Sequence, residues 1–319
     1  MEVGTYVERS TKIIQAAAEM SETFYKKPLV LRYSGGKDSD LILELAKRAD
    51  IRFEVSNSIT TLDSSALTRH IIKTRDRCVS QGIPFERIVP TFKGKPVSFY
   101  RLIEQKKMLP TRRNRFCCSV LKEYAAPNRL ILTGVRWDES RARSKRNVFE
   151  VVTHKKQFPA FDDAHTFEVF REAMEWAELS GTKAEDTNAY DCTLIRNMKE
   201  NRSCICNPIV FWPTAAVWAF LRQEGVPYCP EYDDGHTHRE GCIGCPLSSH
   251  MEAELNRYPE RKRRLMLAIE RMLEARKLDG KDDSTGKWKD PLSTYRWYVG
   301  CDQMPGQLSF DMNGRIYEE

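Results

Sequence analysis

Leu29-Val30-Leu31-Arg32-Tyr33-Ser34-Gly35-Gly36-Lys37-Asp38-Ser39 carries an apolar run into a glycine turn, and Leu41 to Ala49 continues it at helical spacing. A short apolar run bounded by glycine reads as a buried strand, and a strand that feeds a helix through a tight turn opens a parallel α/β unit. Outward from this stretch the rhythm repeats. Arg52 to Ile59 reads as a strand, Ser65 to Ser80 as a helix and Phe85 to Val89 as a strand; a helical stretch around Val97 to Lys107 then precedes a fourth strand, Arg129 to Thr133. Crossovers between parallel strands are right-handed, so the expectation is an α/β fold with a doubly wound, mostly parallel sheet. Ahead of the first strand, Ile13, Ile14, Ala17, Met20 and Phe24 recur at helical spacing and predict a helix between Tyr6 and Tyr25.

Beyond the fourth strand the pattern changes. Residues from about 155 to 203 are polar and mixed in charge, with one amphipathic segment at Phe167, Phe170, Met174 and Ala177, and read as an insertion or lid. A helix starting near Thr214 is closed by Gly225, and Glu260 to Lys277 is a basic helix with Leu265, Ile269, Met272 and Leu273 on its apolar side. The expected organisation is therefore a nucleotide-binding domain over residues 1–250 and a basic helical extension over 251–319, the C-terminal part being helical and cysteine-rich. Of the 319 residues, 41% are hydrophobic and 30% charged, the profile of an ordinary globular chain. No run of about 18 apolar residues offers a membrane span. Glu2, Glu8, Arg9 and Lys12 interrupt the first residues, leaving no apolar signal core, so a cytoplasmic location without membrane attachment is expected.

The turn carries the chemistry. Gly35 and Gly36 let the backbone bring its N-H groups close to an anion, and the N-terminus of the following helix adds partial positive charge. Lys37 supplies a full charge, while the Ser34 and Ser39 hydroxyls can donate to phosphate oxygens. Strand, turn and helix meet where open α/β sheets bind ligands, so the stretch reads as a pyrophosphate cradle, with Lys37 and Asp38 as catalytic candidates. Its spacing is not that of GxxxxGK[ST] loops. After the fourth strand Gly134, Arg136, Glu139, Ser140, Arg141 and Arg143 form a second basic segment at the same edge. There Arg136 is expected to grip phosphate or sulfate oxygens as a fork and to serve in catalysis, with Glu139 orienting it or bonding a ribose. Asp63, at the end of the second strand, is read as a ligand for Mg2+ or a ribose hydroxyl, or as the cap of the next helix.

Ten cysteines in a reducing cytosol favour metal or redox chemistry over disulfides. Cys117-Cys118 and Cys242-x-x-Cys245 form a pair-plus-pair layout that four thiolates around a 4Fe-4S cluster would explain, with zinc as the rival and Cys206 as a substitute ligand.

Ser34-Gly35-Gly36-Lys37-Asp38-Ser39 resembles the signature of the PP-loop ATP pyrophosphatase superfamily. Arg115 to Lys122, Thr133 to Arg141 and the stretch from Asn207-Pro208-Ile209 through Trp218 to Cys245-Pro246 are similar to its phosphoadenosine-phosphosulfate reductase branch. The resemblance implies an adenine nucleotide alpha-hydrolase-like fold, ATP as substrate, and adenylation with release of pyrophosphate. It also implies a nucleotide-contacting role for Gly134, Arg136 and Glu139.

Two catalytic classes follow from it. In one, sulfur modification of nucleic acid, an oxygen is activated as an adenylate and displaced by sulfur, as in Dnd-type and Ssp-type DNA phosphorothioation proteins and the superfamily's tRNA thiolases. DNA is the favoured acceptor over tRNA, with a cysteine desulfurase as the donor partner. In the other, a sulfonucleotide is reduced to sulfite with thioredoxin, for which the family uses a C-terminal Glu-Cys-Gly; here Cys301 stands in Val299-Gly300-Cys301-Asp302 and no Glu-Cys-Gly occurs. A non-catalytic nucleotide sensor is the third reading. The net charge of +6, with basic clusters at Arg141, Arg143, Lys145 and Arg146 and at Arg261 to Arg264 with Arg271, Arg276 and Lys277, agrees with a nucleic-acid partner.

Overall fold

The computed structural model describes residues 2–122, 128–141, 143–151, 203–234, 241–281, 288–300, 309–310 and 316–317. Within the segment read as an insertion, everything but residue 203 lies outside them, as do Cys192 and Cys301. The chain divides into two units by packing, Met1–Pro96 with Cys118–Gly241, and Val97–Cys117 with Cys242–Glu319.

The first unit is built on a sheet whose strands follow the order β3-β2-β1-β6-β8-β7. These are β1 (Leu29–Arg32), β2 (Phe53–Ser58), β3 (Phe85–Ile88), β6 (Leu130–Leu132), β7 (Phe149–Val151) and β8 (Cys204–Cys206). The small strands β4 (Thr91–Phe92) and β5 (Lys95–Pro96) form a separate hairpin. All neighbours in the main sheet run parallel except the edge pair β7 and β8. Leu29, Val30 and Leu31 of β1 are all buried, as expected of a central strand covered on both faces.

From β1 the chain winds outward through α2 (Lys37–Arg48) to β2 and through α3 (Ser65–Ser80) to β3, then returns to place β6 on the other flank of β1. The strand order therefore reverses between β1 and β6, and the carboxyl ends of these two strands flank the crevice where such sheets bind ligands. Ser34–Ser39 leaves one of them and Gly134–Arg136 the other.

Helix α1 (Val3–Met20) buries Ile13, Ile14 and Ala17 and ends in a π-helical turn, Ser21–Tyr25. It is tied down by a polar joint inside the core: Ser10 Oγ donates to the Pro208 carbonyl at 2.8 Å and accepts from Trp212 Nε1 at 2.8 Å. In α2, Asp38 and Asp40 occupy the first turn and Lys47 and Arg48 the last, which complements the helix dipole at both ends. Strands β7 and β8 escape the sequence reading because three residues are too few to display a period of two. In addition, β8 uses buried cysteines where a β-branched run would have signalled a strand.

In the second unit α4 (Phe99–Lys106) packs along the long helix Pro259–Leu278. The buried residues are Phe99, Leu102 and Ile103 on the one and Leu265, Ala268, Ile269 and Met272 on the other. Ion pairs Arg271–Glu104 at 3.2 Å and Lys107–Asp279 at 2.5 Å border this seam. Helix Pro291–Val299 packs on the same long helix. Segment 97–117 thus groups with the C-terminal residues, a different division from a single boundary near residue 250. Its apolar face is covered by a helix more than 150 residues downstream, a pairing that local sequence cannot reveal.

Gly35 holds the turn after β1 at φ +81°, the left-handed region that other residues occupy only under strain. A Cβ there would sit 2.6 Å from Ile71 Cγ1 and 2.8 Å from Leu67 Cδ1 on α3. Gly35→Ala is therefore expected to lower the unfolding free energy by about 2 kcal/mol or more, through strain and overpacking together. Urea denaturation of the purified variant measures it, and an unchanged midpoint would show that the turn is not constrained in this way.

Candidate functional site

The loop Ser34–Ser39 is held in shape by its own hydroxyls. Ser39 Oγ donates to the Gly36 carbonyl at 2.7 Å, while Ser34 Oγ accepts from the Gly36 amide at 3.3 Å and lies 3.3 Å from Ser39 Oγ. Gly36 is the N-cap of α2 and, having no side chain, leaves the helix N-terminus without a side-chain cap. The Lys37 amide instead donates to the Tyr232 hydroxyl at 3.3 Å. Tyr232 lies in the 3-10 turn Pro230–Asp234, packs edge-on against Trp218 and Tyr228, and holds its ring 5.9 Å from Lys37 Nζ. That turn is tied to α3 by the Ser64–Glu231 hydrogen bond. A tyrosine far downstream thus stands at the first amide of the cradle, and nothing in its local sequence marks it.

Asp38 is the junction of the site. Lys37 Nζ donates to its Oδ2 at 2.8 Å and Arg136 Nε to its Oδ1 at 2.7 Å. Arg136 is 1% exposed, and its Nη1 donates to the Trp212 carbonyl and to Thr214 Oγ1, both at 3.1 Å. The fork expected to hold ligand oxygens is therefore directed at protein acceptors: Arg136 is a buried strut that fixes Asp38. Glu139 accepts from the Arg136 amide at 3.1 Å, and its side chain pairs with Arg143. It orients the Arg136 backbone, and the guanidinium it holds is that of Arg143. Ser140 is exposed and its Oγ accepts from the Arg143 amide at 3.3 Å. Gly134 lets the β6 exit approach α2 closely, since a Cβ would lie 3.1 Å from that of Asp38.

Asp138, next to this segment, accepts from the hydroxyl of Thr214 at 2.7 Å and from its amide at 2.8 Å. The Thr214 hydroxyl and amide, with lesser help from Arg136 and Lys37, hold its carboxyl below the usual carboxylate range. Asp63 accepts from Thr60 Oγ1 at 2.8 Å, and the cap of α3 is the neighbouring Ser64, which accepts from the Leu67 amide.

Behind the loop lies a polar cluster that sequence reasoning missed. Tyr33 donates to Asp40 Oδ1 at 2.5 Å, and His70 Nε2 reaches both oxygens of Asp40 at 2.9 and 3.0 Å. All three side chains are buried. Burial pushes the Asp40 carboxyl above its ordinary range, against the opposing hydrogen bonds from His70 and Tyr33. The cluster anchors the first turn of α2 to β1 and α3. Its one sequence signal is a carboxylate directly after Ser39, on a face that helical spacing turns inward.

The cysteines separate. Cys204 and Cys206 sit in β8, where burial pushes the first thiol up to about 11 and the second well above its usual value. Cys206 is wholly buried in the sheet core. In the second unit, Cys117, Cys242 and Cys245 approach the buried Tyr298, whose hydroxyl donates to the Gly244 carbonyl at 3.3 Å. Burial first, and then these three thiols, raise the Tyr298 phenol well above its ordinary value. Cys118 is also buried and falls in the first unit. Among the described residues no three of His, Cys, Asp and Glu are grouped closely enough to hold a metal ion as placed. No described helix is long and apolar enough to cross a membrane.

Residues 28–250 match the model of the phosphoadenosine phosphosulfate reductase domain, more than two thirds of the chain. The chain belongs to the phosphoadenosine phosphosulfate reductase family. It is thereby a PP-loop protein, and the family match spans both the cradle and the Arg136 segment. No curated protein matches. Among solved structures, FMN adenylyltransferase from Candida glabrata is 14% identical with TM-score 0.41, covering 80% of this chain and 72% of that one. Phosphoadenylyl-sulfate reductase from Candida auris, in a phosphate complex, is 14% identical with TM-score 0.41 over 72% and 89%. The U34-tRNA thiolase NcsA from Methanococcus maripaludis, with its [4Fe-4S] cluster, is 11% identical with TM-score 0.35 over 88% and 80%. Likenesses this distant carry no function across.

Removing the Arg136 guanidinium leaves the mostly buried Asp38 with Lys37 as its remaining partner and the Trp212 carbonyl without its donor. Arg136→Ala in this family member is expected to cost about 3 kcal/mol of stability, in the range for breaking a buried ion pair. Denaturant unfolding checks the value, and a loss below about 0.5 kcal/mol, as for an exposed pair, would contradict the strut assignment.

Proposed function

We propose that the chain binds ATP in the Ser34–Ser39 cradle, cleaves it between the α and β phosphates, and uses the adenylate to introduce sulfur into nucleic acid, DNA before tRNA. The observation that carries this reading is the cradle itself. A glycine turn at the reversal point of the sheet presents backbone amides and the buried Lys37 beside Asp38, with Arg136 fixing the carboxylate from behind. An acceptor oxygen attacks the α-phosphorus, an O–P bond forms, the α–β bond breaks and pyrophosphate leaves. A sulfur nucleophile, delivered by a desulfurase partner, then displaces AMP. In this scheme the amides of Gly36 and Lys37 and the Lys37 ammonium hold the β and γ phosphates and stabilise the charge that grows on the leaving group. Nucleotide entry exchanges the Tyr232 hydroxyl for a phosphate oxygen at the Lys37 amide. Mg2+ belongs with the triphosphate, and Asp63 is the carboxylate near the end of β2 assigned to it.

Lys37→Ala is expected to reduce ATP-dependent pyrophosphate release by at least 100-fold, the scale for losing one oriented charge in such a site. Release measured with and without DNA or tRNA tests the proposal, and undiminished turnover in the variant would refute the cradle assignment. A second reading, reduction of a sulfonucleotide to sulfite with thioredoxin, is supported by the family match; sulfite formed without ATP would select it.

The same reading assigns a 4Fe-4S cluster to Cys117, Cys242 and Cys245, with Cys118 as the fourth thiol of the pair-plus-pair set. Its support is the pair-plus-pair layout of these cysteines along the chain. When bound, such a cluster would supply a site for holding or transferring sulfur. Protein purified without oxygen is expected to contain about four irons per chain and to absorb broadly near ~400 nm, both reduced in Cys242→Ala. Colourless protein with one zinc would overturn the assignment.

A further inference from the structure

The basic clusters most visible in the sequence are largely engaged within the protein. Arg143 pairs with Glu139 and the buried Arg146 with Glu150. On the long helix Arg263 and Arg264 pair with Glu260 and Arg271 with Glu104, while Arg276 donates to the Lys107 carbonyl and stacks over Trp288. Another basic stretch contains two arginines without acidic partners among the described residues. Segment 97–117 carries six cations, Arg101, Lys106, Lys107, Arg112, Arg113 and Arg115, against the single acid Glu104. Arg101 and Lys107 have acidic partners. Arg112 and Arg113 have none among the described residues, and both are exposed.

These arginines stand on a fixed platform. The Thr111 amide donates to the Asn114 carbonyl at 3.0 Å and the Asn114 amide to Thr111 Oγ1 at 3.0 Å, closing a turn with the two arginines at its tip. Arg112 Nε donates to the Pro246 carbonyl at 3.2 Å, which pins the turn to the loop carrying Cys242 and Cys245. Cys117 follows two residues after Arg115. Cationic side chains on an exposed turn tied to the loop that carries two thiols suit a polyanion passing over the surface. A small phosphate would leave most of its charge in water there.

We infer that the turn Thr111–Asn114 is a docking surface for the phosphodiester backbone of nucleic acid, with Arg112 and Arg113 each neutralising one phosphate and bringing the strand past Cys117, Cys242 and Cys245. The inference rests on the proposed nucleic-acid acceptor and names the surface that binds it. Arginine suits the task because its planar fork meets two phosphate oxygens at once.

The test is fluorescence anisotropy of the full chain with labelled duplex DNA and, separately, labelled tRNA, over a range of salt concentrations. The double variant Arg112→Ala with Arg113→Ala is expected to bind about tenfold or more weakly near 0.1 M salt. Its slope of log affinity against log salt should be shallower by about 1.8 on duplex DNA, the consequence of two lost phosphate contacts. The double substitution by Lys, which keeps the charges, is expected to retain the slope. ATP-analogue affinity should match the wild type in both variants, and any fall in thermal midpoint should be equal in the two, because each loses the Arg112 bond to the Pro246 carbonyl. Wild-type binding with an unchanged slope in the Ala variant would overturn the docking surface alone. A wild type that releases pyrophosphate yet binds neither nucleic acid would overturn the acceptor reading and this surface with it. The nucleic acid that shows the slope change identifies which of the two the surface serves.

Discussion

The carboxylate of Asp38, held between Lys37 Nζ and Arg136 Nε, is the constraint on which the site depends. It joins the two chain segments that leave the sheet on either side of its reversal point. An arginine buried to 1% exposure cannot remain there without acceptors, because taking a guanidinium out of water is costly unless its N-H groups are met. Asp38, the Trp212 carbonyl and Thr214 meet them, and in doing so they lock helix Thr214–Gln223 and the β6 exit to the phosphate loop. Gly134 is small for the same reason: the two segments approach too closely for a side chain between them.

From the other side the loop is held by Asp40. Its bonds to Tyr33 and His70 place a carboxylate inside the core one residue beyond Ser39, so the first turn of α2 is fixed to both β1 and α3. The amides of the turn are thereby preorganised before any ligand arrives, which is what makes an anion site effective. The Tyr232 hydroxyl meets the Lys37 amide from a turn almost two hundred residues downstream.

Much of this was legible in the residues. The run from Leu29 to Ser39 announced strand, turn and helix because hydrophobic burial and glycine geometry act locally, and Ser65–Ser80 was legible as a helix, although its cap is Ser64 and not Asp63. Arg136 was legible as a cation at the sheet edge, but its bond to Asp38 was not, since a guanidinium there serves a ligand or a carboxylate equally well until its depth is known. Strands of three residues such as β7 and β8 left no period to read. Helix α4 was legible as a helix, but its partner was not, because the apolar face of one helix fits many others.

The sequence by itself determined the α/β class, the strand-turn-helix unit around Ser34–Ser39 and membership of the phosphoadenosine phosphosulfate reductase family. These depend on backbone preferences and motif spacing, which neighbours in the chain express. Only the tertiary structure decided which charges face one another. It turned Arg136 inward onto Asp38, set Tyr232 on the cradle, paired Arg143 and Arg146 with glutamates and left Arg112 and Arg113 on an exposed turn. Charge pairing acts through space over a few ångströms between residues that lie tens to hundreds of positions apart, and linear order carries no record of that distance.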